Sequence, residues 1–164
     1  MFKIKVLLFL LFLNSCQDVK KVSNKNSIND SFVGFKFSPP TKLVPISLEY
    51  RIKNNIFNWS EFTDFIESFE SLIKLNPEGI QVFLEDIELK LKALKKSNYP
   101  KHLDIPDIKS RLKVVQTMII QSKFYSQNKK WEELDLSLQN LYLSYNSFIS
   151  RIKSVNEEVS LFNN

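Results

Sequence analysis

The sequence predicts an all-α protein, an up-down-up-down bundle of four helices over about 59–75, 77–96, 106–125 and 130–156. Three observations carry this prediction. From Asn58 onward apolar residues recur at alternating spacings of three and four, helix breakers divide that pattern into four segments, and the connections between segments are short.

In the first segment Trp59, Phe62, Ile66, Phe69 and Ile73 form the stripe, and Asn58 with Glu61 can form a capping box ahead of it. Asn76 and Pro77 read as the N-cap and first turn of the next helix, whose stripe is Ile80, Leu84, Ile87, Leu91 and Leu94. The breaker-rich stretch 97–104 then separates the halves of the bundle, and Pro106 suits the first turn of a third helix. Its stripe is Ile108, Leu112, Val115 and Ile119, extended by Met118 and Phe124. In the last helix Trp131, Leu134, Leu138, Leu141, Tyr145, Phe148, Ile152 and Val155 form the seam of a coiled-coil-like packing. Glu61, Asp64, Glu67 and Glu70 lie on one flank of the first helix, and Lys90, Lys92, Lys95 and Lys96 close the second. In an antiparallel hairpin these clusters would meet, and both suit the helix dipoles. Residues 58–157 make up the bundle and 158–164 a C-terminal tail.

The segment ahead of the bundle, 32–57, is predicted as an extended arm packing on it. Val33, Phe35 and Phe37, and later Ile46, Leu48, Tyr50 and Ile52, alternate with other residues at the period of half-buried strands, which makes a β-hairpin one reading. Pro39 and Pro40 exclude a helix between the two runs, and a short helix through 46–57 is the competing reading. Residues 16–31 are polar apart from Val19, Val22 and Ile28, too few to offset the entropy of ordering, and read as a flexible tether.

At the start of the chain Lys3 and Lys5 precede an unbroken apolar run, Val6 to Leu13, of eight residues. A helix that short rises about 12 Å against a hydrocarbon layer of about 30 Å, so the run suits a cleaved signal peptide, 1–15, rather than a membrane span. The order Leu13, Asn14, Ser15, Cys16 resembles the lipobox of bacterial lipoproteins, with leucine three before the cysteine and a small residue one before it. The resemblance covers residues 1–16 only. It implies that Cys16 carries a diacylglycerol, that the residues before it are removed, and that the mature chain is anchored in the cell envelope outside the cytoplasm. Gln17, where aspartate would favour inner-membrane retention in enteric bacteria, implies the outer membrane. Two or three acyl chains on one residue make retention long-lived, where one chain is marginal.

Cys16 is the only cysteine, so the chain has no intrachain disulfide and no Cys-based zinc site. The precursor carries +5; without Lys3 and Lys5 the mature chain carries +3, and no basic cluster interleaved with aromatics suggests nucleic acid. The one histidine, His102, has no second histidine and no nearby cysteine, so a zinc site, a Ser-His-Asp arrangement and a CxxCH haem attachment lack their parts, and it reads as a solvated loop residue. Glu85 and Glu88 resemble half of a di-iron carboxylate pair, but the Glu-x-x-His elements are missing and the two read as a charged outer face. With Gly34 and Gly79 the only glycines, no phosphate-cradling loop can form.

The sequence therefore points away from an enzyme, a metal site or a cofactor. It points to a non-catalytic interaction or scaffold module, held to the membrane through Cys16 and contacting an envelope protein or a second copy of itself. The alternative is a carrier of an apolar ligand, lined by Trp59, Phe62, Phe65 and Phe69. Leu136, Tyr142 and Leu143 lie off the seam of the last helix and form the candidate interaction surface. Either the 32–57 arm covers them or a partner does, and the arm is expected.

Overall fold

The computed structural model describes residues 37–38, 41–72 and 79–162, all within one compact unit, 34–164. The signal peptide, Cys16 and the tether lie outside these residues, as do Asn76 and Pro77. The described residues are all-helical in their regular structure, as expected, and form five helices: α1 Leu48–Lys53, α2 Ser60–Leu72, α3 Ile80–Lys96, α4 Pro106–Gln127 and α5 Trp131–Phe162.

The β-hairpin reading of the arm is corrected. Its second half, 48–53, is α1, and no described residue forms a strand. Local chemistry explains why the period of two did not win. Ser47 acts as N-cap, its hydroxyl accepting from the Tyr50 amide at 3.1 Å. At the other end Asn55 takes a left-handed conformation with φ 57°. The Ile56 amide then donates to the Arg51 carbonyl at 3.0 Å and Asn55 to Ile52 at 3.2 Å, a Schellman stop whose apolar residue, Ile56, is fully buried. The same device ends α4, where Lys129 has φ 53° and the Lys130 amide reaches the Tyr125 carbonyl. The described residues ahead of α1, 37–38 and 41–47, belong to an extended strap.

Two further boundaries move. The helix expected to end at 156 runs to Phe162, so 158–162 are helix rather than tail. The apolar seam stops at Val155, but Glu158 accepts from Arg151 at 2.8 Å and from Ser154 at 3.2 Å, contacts along one face that hold the extra turns. In α4 the inner stripe continues from Ile119 to Ser122 and Ser126, while Phe124 is 53 % exposed. The 4-3-4 spacing thus persists past the point where the residues stop being apolar, and the Ser122 hydroxyl meets that of Ser137 at 2.8 Å in the buried α4–α5 contact.

Packing follows chain order, α2 on α3, α3 on α4 and α4 on α5. Cross-helix contacts join Trp59 to Ser97, Ser68 to Lys90, Lys95 to Gln116, Lys123 to Glu88, and Arg151 to Asp107. Between α2 and α5, among the described residues, no Cα atoms come within 8 Å of each other. Aromatic rings span that gap. Phe69 stacks on Tyr145 at 4.2 Å, Phe65 meets Phe148 edge-on at 6.2 Å, and Phe62 meets the same Phe148 edge-on at 6.3 Å. The expected pairing of α2 acids with α3 lysines is not what the ion pairs do. Lys90 and Lys92 bind Asp86 and Glu88 one turn back on their own helix, where i,i+4 geometry holds both partners ready.

Candidate functional site

The long helix α5 carries two stripes. The seam Leu134, Leu138, Leu141, Tyr145, Phe148, Ile152 and Val155 is buried in the bundle. One position after each seam residue comes a second set: Asp135, Gln139, Tyr142, Asn146, Ile149, Lys153 and Asn156. A shift of one residue is a rotation of about 100°, so this set forms a neighbouring face. The strap and α1 lie along it.

Ser38 begins the contact, its amide donating to one carboxylate oxygen of Asp135 at 2.9 Å and its hydroxyl to the other at 2.6 Å. Thr41 donates to the Gln139 side chain at 3.0 Å. Asn146 accepts from the Val44 amide at 2.7 Å and donates to the Lys42 carbonyl at 2.9 Å, engaging strap backbone that no sheet partner satisfies. Further along, Lys153 lies 5.5 Å over the Tyr50 ring. Asn156, 4 % exposed, donates to the Tyr50 hydroxyl at 3.0 Å and accepts from His102 Nε2 at 2.7 Å. That carboxamide joins α1, α5 and the 97–104 loop. His102, read as a solvated loop residue, is half-buried in this junction. Burial pushes the Tyr50 hydroxyl above its ordinary range, although the Asn156 hydrogen bond opposes the shift.

The three candidate surface residues separate here. Tyr142 is 5 % exposed, on the strap-bearing face, and burial next to Asp135 pushes its phenol up to about 12. Leu136 and Leu143 are 65 % and 56 % exposed. The expectation that the arm covers all three is therefore corrected for the leucines: the strap follows the 135–156 stripe and leaves the opposite side of α5 bare. The sequence did carry a signal for the strap face, in polar residues repeating at heptad spacing (Asp135, Tyr142 and Asn156; Gln139 and Asn146), but only apolar residues were weighed.

Two other features bear on chemistry. A cleft of about 280 Å³ opens between α2 and α3, where the buried Ser68 hydroxyl accepts from Lys90 at 2.6 Å and donates to the Asp64 carbonyl. Asp64, Glu67 and Asp86 line it, which makes it charged rather than fit for an apolar guest. Glu88, expected on the outer face, is instead largely enclosed between Lys92, at 2.6 Å, and Lys123 of α4. Hydrogen bonds from Lys123 first, and then Lys92, hold its carboxyl below the usual range. Among the described residues no group of three or more His, Cys, Asp or Glu could hold a metal ion, and no helix is long and apolar enough to cross a membrane.

The chain matches no protein-family model, no curated protein and no solved structure.

Proposed function

We propose that this chain is a membrane-anchored interaction module that works by binding through its surface rather than by catalysis. Cys16 would carry the lipid, with the outer membrane as the site of attachment, and the four long helices would form an up-down-up-down bundle. The alternating sense of the paired positions supports that topology: 59 with 97 and 68 with 90, 95 with 116 and 88 with 123, 107 with 151 and 122 with 137.

The observation that carries the reading is the aromatic layer. Phe62, Phe65, Phe69, Tyr145 and Phe148 are each at most 1 % exposed and pack on one another, so the space an apolar cargo would need is taken up by the chain's own rings. What can engage a partner is the outside, and Leu136 with Leu143, seven residues apart on one bare face, is the place for an envelope protein or a second copy.

The test combines cross-linking pull-down from the native membrane with titration of an apolar dye on the full chain. Partners recovered by the wild type and lost with Leu136→Lys plus Leu143→Lys, without saturable dye uptake, are expected. Saturable uptake at one site would establish the carrier instead. Intact-mass analysis tests the anchor separately, since an unmodified Cys16 in native material rules it out.

A further inference from the structure

We infer that the end of the bundle capped by α1 and the 97–104 loop docks onto an anionic lipid surface. This goes beyond the interaction face on α5 and needs no protein partner. Three apolar side chains project there. Leu48 and Ile52, one turn apart on α1, are 50 % and 56 % exposed, and Phe57, just past the Schellman stop, is 51 % exposed. The inward side of the same short helix is committed, through Tyr50 to Asn156 and through Arg51 to Thr63 at 2.8 Å. The cap therefore presents its apolar residues outward from a fixed base.

Its charge is of one sign. Residues 46–60, 96–115 and 143–161, which the Tyr50–Asn156–His102 and Arg151–Asp107 contacts bring to this end, hold nine Lys and Arg against five Asp and Glu. The rest of the described bundle, 61–72, 79–95 and 116–142, holds six against ten. The bundle is thus charged about +4 at one end and −4 at the other. Among the described residues Lys53 and Lys101 make no ion pair within 4.0 Å, so these cations are free to meet headgroup phosphates. Protruding apolar groups ringed by lysines suit a lipid interface, which admits them without a matching pocket.

Chain length permits the contact. The strap joins the bundle at Asp135, far from the cap, but the 21 residues from Cys16 to Phe37 can span up to about 70 Å extended, against about 33 Å for a helix the length of α4. The cap can reach the leaflet that holds the anchor.

The experiment uses the full chain with Cys16→Ser, so that Ile52→Cys supplies the only thiol, labelled with a fluorophore. The labelled chain is mixed with phosphatidylcholine vesicles holding a bilayer-embedded quencher, with or without phosphatidylglycerol, and Leu136→Cys serves as the reference position. The apolar leader brings both labels to the vesicle, so the comparison reads orientation rather than attachment. Strong quenching at position 52 that requires phosphatidylglycerol and exceeds that at 136 is expected. Adding Lys53→Gln with Lys101→Gln should weaken this contact about thirtyfold at low salt, at about fivefold for each basic residue lost. Equal quenching at the two positions, or none at position 52 because the cap faces a protein or the acidic end of a second copy, overturns the inference. Either result leaves the pull-down at Leu136 and Leu143 to be judged separately.

Discussion

The side-chain oxygen of Asn146 lies 2.7 Å from the amide nitrogen of Val44, 102 residues earlier in the chain. The same carboxamide donates to the Lys42 carbonyl, so one α5 side chain supplies the donor and the acceptor that a neighbouring strand would give an extended segment. That is how the strap stays extended without a sheet. Its apolar residues, Phe37, Leu43 and Val44, then add packing on the core.

Asn146→Ala should therefore cost about 1–3 kcal/mol, because it strands the half-buried Val44 amide, while the exposed Lys42 carbonyl turns to water. Urea melts would measure the loss, and amide exchange at Val44 should rise with it. Asp135→Ala is the contrasting case. Its bonds to Ser38 lie at an exposed site, and the expected loss is below about 1 kcal/mol. Equal losses for the two variants would show that Asn146 does not hold the strap.

Tyr142 and its neighbour Leu143 should part company under mutation. Tyr142→Ala empties a buried site on the strap-bearing face and should cost about 3–5 kcal/mol. Leu136→Lys with Leu143→Lys alters exposed positions and should change stability by no more than about 0.5 kcal/mol. A double mutant destabilised by several kcal/mol would mean that something in the chain does cover those leucines.

The seam supplies the reference scale for both. Leu138 and Leu141 are 4 % and 0 % exposed, and either change to alanine should cost about 2–5 kcal/mol in the same melts. A loss below about 0.5 kcal/mol would remove this face from the core.

The long helices were legible because each buries one stripe, and a stripe at 3.6 residues per turn needs only apolar side chains to be seen. Where burial uses other residues the reading failed. Ser122 and Ser126 continue the α4 stripe without hydrophobicity, and the exposed Phe124 stood in for them. α1 stood second, as the competing short helix within 46–57, for a different reason: Leu48, Ile52 and Tyr50 fit a period of two as well as one helical turn, and the arbiters were Ser47 as cap and Asn55 in the left-handed region. The candidate face on α5 was half legible. Its leucines lie off the seam as read but stay bare where the arm was expected to cover them, and nothing apolar marked the polar track of Asp135, Gln139 and Asn146 as the seat of a strap almost a hundred residues away.

Glu88 gives a prediction in pH. Its side chain is only 15 % exposed and bridges Lys92 on α3 to Lys123 on α4, so the folded state binds its proton more weakly than the unfolded chain, whose ordinary value is 4.5. A depressed folded value means that stabilisation is fully present above the unfolded value and lost as pH falls through the folded one. Glu88→Gln should thus cost about 1–3 kcal/mol at pH 7, where it removes a charge from a pair of largely enclosed partners. The gap between wild type and variant should begin to close as pH drops below 4.5 and vanish only below the depressed folded value, where Glu88 is protonated in both states of the wild-type chain. Lys123→Met should mimic the loss at pH 7 and likewise flatten the acid limb, since the Lys123 hydrogen bond is the largest cause of the shift. Urea melts at a series of pH values read all three curves, and a wild-type-to-variant gap that stays constant from pH 7 to pH 3 would show that the Glu88 charge does not join α3 to α4.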